Sequence, residues 1–300
     1  MQNERPDLGV TQGNIKFAMW GVAFLDLMGY REQLAAADVF PAPTDKAEAL
    51  ELFKDLIGRR RALVDGPKVF LAAAASAHQT IEGLPPEAIR LQKHLSKIRV
   101  ATTGFADNVV LETPLDGVEN APIVALHETV LASAITLSQH LSLGSPLRGG
   151  IEVGFGAWAF EQLHSGATVT AVNLEKCAGY PRILVGQRFR AYLDHESEAP
   201  SISGPLRIQR AVASTLKQIL YRDPLDPPDF PLGIDYLGTA FKALVPGMQP
   251  HVVKNIWRFA HESRDKFKTA PGRAKEHGYY ERLIAYVEPR LEIWGLDKSL

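Results

Sequence analysis

Two aspartates end strongly apolar segments: Asp26 in AFLDLMGY and Asp107 in TTGFADNVVL. An acidic side chain there needs a reason, because desolvation disfavours its charged form. One role is turn capping, in which each carboxylate accepts bonds from neighbouring amides. The other is a shared site. Adjacent carboxylates repel and raise one another's pKa unless a cation neutralises them, and a divalent metal is the simplest such partner. Carboxylate, backbone carbonyl and phosphate oxygens suit Mg²⁺ or Mn²⁺, and two such ions about 3.5–4 Å apart polarise a phosphoryl centre and activate a hydroxyl. Other familiar chemistries fail. There is no GxxxxGK(S/T) loop, no HExxH helix and no GxSxG elbow, and GFGAWA at Gly154 lacks the third glycine of a dinucleotide fingerprint. The nine histidines are scattered without ligand spacing. RGG occurs once, at Arg148, where a strand start would gain one cation and two close-approach glycines.

The elements that must position these residues follow from periodicity. Ile15 to Asp26 is apolar on both faces, the pattern of a central strand covered on both sides. Behind Thr44, a plausible N-cap, Ala49, Leu50, Phe53, Leu56 and Ile57 recur at helical spacing. Val69 to Gln79 is a second helical candidate, with Gly83-Leu84-Pro85-Pro86 as a breaker. From Lys97, β-branched runs around a turn at Gly104 to Asn108 predict a hairpin with Asp107 near its tip. A helix over Ala121 to Leu143, a strand at Arg148 to Gly156, a helix near Val169 to Ala178 and a strand at Arg182 to Val185 complete the series. The fold class is therefore α+β, in the ferredoxin-like βαββαβ order with an extension.

After Arg190 the composition shifts: Ser201 to Pro205 is linker-like, and Asp223 to Gly233 carries four prolines in eleven residues. The expected organisation is an N-terminal arm over 1–14, a main α+β domain over 15–195 and a helical C-terminal extension over 196–300. Lys plus Arg number 33 against 34 Asp plus Glu, so the net charge of −1 gives no global field for nucleic acid. Hydrophobic residues at 46% against charged ones at 22% exclude disorder as the main state. The one cysteine, Cys177, is read as a buried or bystander thiol that fits a reducing compartment. Met1 to Val10 lacks a basic start and apolar run, and the stretches Phe17 to Leu25 and Val69 to Ala75 fall well short of the roughly 20 residues of a membrane helix. The expected location is cytoplasmic, without a membrane span.

At the two aspartates the chain resembles the class III nucleotidyl cyclases, whose ferredoxin-like catalytic domain begins with a strand ending in Phe-x-Asp-Ile/Leu-x-Gly-Phe/Tyr. Here that segment is Phe24-Leu25-Asp26-Leu27-Met28-Gly29-Tyr30. The hairpin aspartate, Asp107, and the strand Arg148-Gly149-Gly150-Ile151-Glu152-Val153-Gly154 follow in order, so the resemblance spans roughly residues 15 to 190. It implies cyclisation of a nucleoside triphosphate with two divalent ions, Mn²⁺ or Mg²⁺. Asp26, Asp107 and the Leu27 carbonyl would hold the metals, and Phe24 would lie on the substrate. The amides of Met28, Gly29 and Tyr30, opening a helix, would face the phosphates. Arg148 aligns with the arginine that contacts the triphosphate.

The departures leave two expectations: a degenerate, inactive cyclase-fold nucleotide sensor, or an enzyme that binds a different base and stabilises charge with other residues. The base-reading lysine of purine cyclases is replaced by Thr103, and the arginine of the later helix is missing, with Asn173 near the family's asparagine and Arg182 a candidate substitute. Leu174-Glu175 followed by Tyr180-Pro181-Arg182-Ile183, and the later RDPLDPPDFPLGIDYL, resemble the pyrimidine cyclases of the bacterial anti-phage system Pycsar. That implies a homodimer with active sites at its interface, which makes cyclic UMP or cyclic CMP for an effector protein. Arg99, donating to O4 of the base, would favour UTP over CTP.

Overall fold

The computed structural model describes residues 16–37, 46–77, 100–115, 122–159, 162–198 and 204–298. Its first strand, β1 (Lys16–Leu27), is covered on both sides from Ala18 to Leu27, the pattern its apolar run predicts, while Phe17 near its start is exposed. Ala18, Trp20 and Val22 pack on one face with Ala167 and Ala171, while Ala23, Leu25 and Leu27 join the main core on the other. β1 pairs antiparallel with both β3 (Asn108–Pro114) and β4 (Leu147–Ala159), and β3 pairs antiparallel with β2 (Ala101–Phe105). The order across these four strands is β2-β3-β1-β4. The sheet then continues through β6 (Ile183–Val185), β8 (Leu232–Ile234) and β7 (Leu220–Tyr221), while β5 (Gln162–Ser165) folds back on β4. The protein is α+β with a mixed eight-stranded sheet.

Helix α1 (Tyr30–Ala37) follows β1, and α2 (Lys46–Ala77) precedes the hairpin. The two helices expected before residue 80 are one, running through Pro67. Leu56, Leu63 and Pro67 make a buried stripe on α2, which packs on α3 (Pro122–Ser142), so tertiary burial outweighs the local cost of proline. Gly104, expected in the turn, lies inside β2 opposite Val109, where a Cβ would sit 2.6 Å from Val64 of α2. The turn itself is Ala106-Asp107, with Ala106 at φ +49°. The expected starts at Ile15 and Ala121, the breaker at Gly83 to Pro86 and the hairpin start at Lys97 to Arg99 lie outside the described residues.

Helix α3 is buried at most of its positions, and its hydroxyls tolerate this by bonding to the preceding turn. Thr129, Ser133, Thr136 and Ser138 each donate to the carbonyl four residues back, at 2.7 to 3.0 Å. On the opposite face α4 (Gly166–Cys177) lies directly on β4. The approach depends on Gly150, where a Cβ would collide with the Ala171 carbonyl and come within 2.6 Å of Leu174 Cβ. Cys177 is exposed at the end of α4 rather than buried. The buried Glu152 of β4 accepts from the amide of Phe189 at 2.7 Å, anchoring the start of α5 (Gln187–Glu198).

The C-terminal residues differ from the expected helical extension. They supply helices α6 (Gly204–Gln218), α7 (Thr239–Leu244), α8 (Pro250–Lys268) and α9 (Ala274–Val287), but β7 and β8 extend the same sheet. Their apolar side chains share one continuous core with β1 and α3. Two charged networks fasten the junction. Arg290 reaches Asp235 at 2.6 Å, and Tyr286 donates to the same carboxylate at 2.9 Å. Arg282 bridges Asp223 and Asp226, each at 2.6 Å, pinning the proline-rich loop to α9.

Two glycines should therefore respond oppositely to substitution. Gly150→Val is expected to destabilise the fold by about 3 kcal/mol, because α4 must lift from the sheet. Gly58→Ala, in open space on α2, should stabilise it by roughly 0.5–1 kcal/mol. Urea denaturation midpoints of both variants against wild type check the pair.

Candidate active site

The end of β1 meets the hairpin tip, the start of β4 and the last turn of α4. Asp26 stands in register opposite Asn108 on one side and Arg148 on the other. The amide of Leu27 donates to the Asp107 carbonyl at 2.9 Å, which ties the hairpin tip to the strand end. Arg60 of α2 holds the same tip by donating to the Ala106 carbonyl at 2.7 Å. Beyond Leu27 the chain turns at Gly29, whose φ of +76° is open to glycine and strained for other residues, and α1 begins. The result is a cavity of about 400 Å³ lined by Phe24, Asp26, Leu27, Gly29, Arg31, Glu32, Asp107, Arg148, Val172, Glu175 and Lys176.

The structure brings Phe24, Asp26, Leu27, Gly29, Asp107 and Arg148 together around this cavity. It does not bring in the others. The Met28 amide donates to the Pro146 carbonyl at 2.9 Å, so it does not face the cavity as a phosphate donor. Tyr30 packs against the core. Thr103 is exposed on the edge strand β2, Asn173 is exposed on α4, and neither lines the cavity. Arg182 is buried elsewhere: it donates to the Ala178 carbonyl at 2.7 Å and pairs with Asp226 at 2.5 Å. Its guanidinium is engaged by that network and by the faces of Tyr180 and Phe230, and it does not line the cavity. Arg99 lies outside the described residues.

Sequence reasoning missed three charged groups. Arg31, immediately after Gly29-Tyr30, donates from Nε to Asp107 Oδ2 at 2.9 Å and from Nη2 to Oδ1 at 3.5 Å. Glu175 pairs with Arg148 Nε at 2.6 Å, and Arg148 Nη2 reaches Asp26 at 3.6 Å. Lys176 stands beside them. Glu175 carried a signal: it lies four residues after Ala171 and eight after Ala167, on the small-residue face that α4 turns to the sheet.

The charges do not balance around Asp26. Its carboxyl is pushed up to about 7, first by burial and then by the charges of Glu175 and Asp107, which Arg148 and Arg31 only partly offset. Glu175 is also pushed up by burial, against the pull of Arg148. A divalent cation fits this donor set. Two aspartate carboxylates, both hard oxygen donors, line one cavity, and a cation would relieve the repulsion that Asp26 carries. Among the described residues no group of three or more His, Cys, Asp or Glu side chains has metal-site spacing, so further ligands would come from phosphate oxygens or water.

No protein-family model matches the chain, and no curated protein matches its sequence. Among the described residues no helix is long and apolar enough to cross a membrane.

The strain on Asp26 has a stability consequence with a definite sign. A carboxyl whose folded-state pKa is raised contributes stability below its unfolded value of 3.8, and that contribution is lost as pH rises through about 7. Asp26→Asn should accordingly stabilise the metal-free fold by about 2 kcal/mol at pH 8 and by little at pH 4. Thermal or urea unfolding of both proteins across that range is the check.

Proposed function

We propose that the chain is a pyrimidine nucleotide cyclase that converts UTP to 3′,5′-cyclic UMP and pyrophosphate. The observation that carries this reading is the convergence of Asp26 and Asp107 in one cavity with Arg148, from three segments far apart in sequence. The antiparallel order β2-β3-β1-β4 supports a ferredoxin-like βαββαβ cyclase core, since that arrangement sets the first strand between the hairpin and the fourth strand. The pyrimidine assignment and uridine over cytidine rest on the resemblance to the Pycsar enzymes, in which the cyclic product activates an effector during phage defence.

Asp26, Asp107 and the Leu27 carbonyl would hold two divalent ions, which when bound lower the pKa of the ribose 3′-hydroxyl and neutralise the phosphates. Gly29 opens the turn that leads into α1 and faces the cavity, so its amide and the positive end of that helix favour the phosphate chain. Arg148, clamped by Glu175, is a fixed guanidinium beside Asp26 and stabilises charge on the departing pyrophosphate. Phe24 supplies an apolar wall. Asn173 is exposed on α4, where a second copy could use it. Phe17 and Phe155, both largely exposed on neighbouring strands, offer further surface for that homodimer.

A second reading, a cyclase-fold nucleotide sensor without turnover, is favoured by the commitment of Arg182 to the Asp226 network, which leaves no counterpart of the helix arginine on that segment. The two readings part in one assay. Purified protein is incubated with Mn²⁺ and each of UTP, CTP, GTP and ATP, and the products are resolved by mass. Cyclic UMP is the expected outcome, and cyclic CMP alone would reassign the base. Binding of a nucleotide with no cyclic product supports the sensor. Asp26→Asn and Asp107→Ala should each lower turnover by at least about a thousandfold while the protein remains folded, and retained activity in either sinks the cyclase reading.

A further inference from the structure

The ion pair between Arg31 and Asp107 is lopsided. The Asp107 side chain is 3% exposed, whereas that of Arg31 is 77% exposed. A carboxylate so enclosed requires a cation nearby, and here the cation arrives from the solvent side on a long stem. Among the described residues Asp107 is the one side chain that Arg31 bonds, so its guanidinium is held by that contact and is free to move once another cation takes the carboxylate. Arg148 differs: it is only a quarter exposed, and its Nε is clamped by Glu175 at 2.6 Å. The cavity therefore has one fixed arginine and one exchangeable arginine.

Both Asp107 oxygens face the Arg31 fork, at 2.9 and 3.5 Å. A divalent ion taking the Asp107 carboxylate must compete with that fork for the same lone pairs. The displaced guanidinium remains tethered to the first turn of α1, next to the Gly29 turn and on the cavity wall. Its planar array of donors matches phosphate oxygens as well as it matches a carboxylate. We propose that Arg31 is an exchangeable counter-ion, which occupies Asp107 until a divalent cation binds and then transfers to the phosphate chain of the nucleotide. The proposal rests on the cyclase reading of this cavity. It assigns Arg31 two opposed effects: weakening metal binding when phosphate is absent, and strengthening phosphate binding when metal is present.

The test uses the full chain as wild type, Arg31→Gln and Asp107→Asn, each checked for native circular dichroism. Mn²⁺ binding is titrated by electron paramagnetic resonance without nucleotide, and inorganic tripolyphosphate binding by calorimetry at saturating Mn²⁺. Arg31→Gln is expected to tighten Mn²⁺ roughly tenfold, equivalent to about 1.4 kcal/mol, and to weaken tripolyphosphate by a similar factor. A merely structural role would not move the two in opposite directions. Asp107-dependent Mn²⁺ binding that is unchanged or weaker in Arg31→Gln overturns the exchange alone, as does unchanged tripolyphosphate binding. Mn²⁺ binding that is absent, or that survives Asp107→Asn, overturns the two-metal reading and the exchange with it.

Discussion

The contact of α4 with β4 at Gly150 is the constraint on which the cavity depends. Only a residue without a side chain lets the Ala171 carbonyl and Leu174 lie against the strand. That approach sets Glu175, the next residue of α4, beside Arg148, two positions before Gly150 on β4. Arg148 is in turn the register partner of Asp26. A packing requirement between one glycine and one helix thereby fixes which charges surround the acidic end of β1, and raising α4 by a methyl group would loosen all of them.

The molecule holds buried charge in two ways. Around Asp223 and Asp226 the carboxylates are answered: Arg182, Arg282 and Tyr180 meet them at 2.5 to 2.8 Å, and Asp223 is held below its usual range with hydrogen bonds outweighing burial. Such a network fastens the proline-rich loop and α9 to the rest of the core. Around Asp26 the charges stay unmatched, with Arg148 at 3.6 Å and with burial and then two further carboxylates pushing the pKa up. A fold able to satisfy the first set leaves the second unsatisfied, and the unsatisfied set lines a cavity. That contrast favours a ligand-binding role for the Asp26 cluster and a structural role for the Asp226 cluster.

Much of the scaffold was legible because its signals are local. The two-faced apolar run of β1, the β-branched hairpin, the long helical period of α3 and the glycine-bearing strand β4 each follow from nearest-neighbour patterns, and each is found within a few residues of its expected bounds. Misreadings arose where distant contacts decided. The helix behind Thr44 and the candidate from Val69 read as two segments, yet they are one helix whose turn at Pro67 is buried where α2 packs on α3. Leu220 and Leu232 stand in short segments on either side of the prolines, and become strands because β8 pairs with the edge of β6 and β7 then pairs with β8. Arg182 reads as an available cation in YPRI, but acids 41 and 44 residues further on claim it.

For the site the division is the same. The sequence by itself determined that two acids end apolar segments, that a glycine turn and a helix follow the first, and that an arginine with two glycines opens a later strand. Those are properties of side-chain type and local spacing, which survive in any compatible fold. Tertiary structure alone decided that Asp107 is covered and answered by Arg31, that Glu175 competes with Asp26 for Arg148, and that the Met28 amide is spent on Pro146. The physical reason is that charge compensation and desolvation depend on distance through space, and residues 26, 31, 107, 148 and 175 become neighbours only when β1 is set between the hairpin and β4.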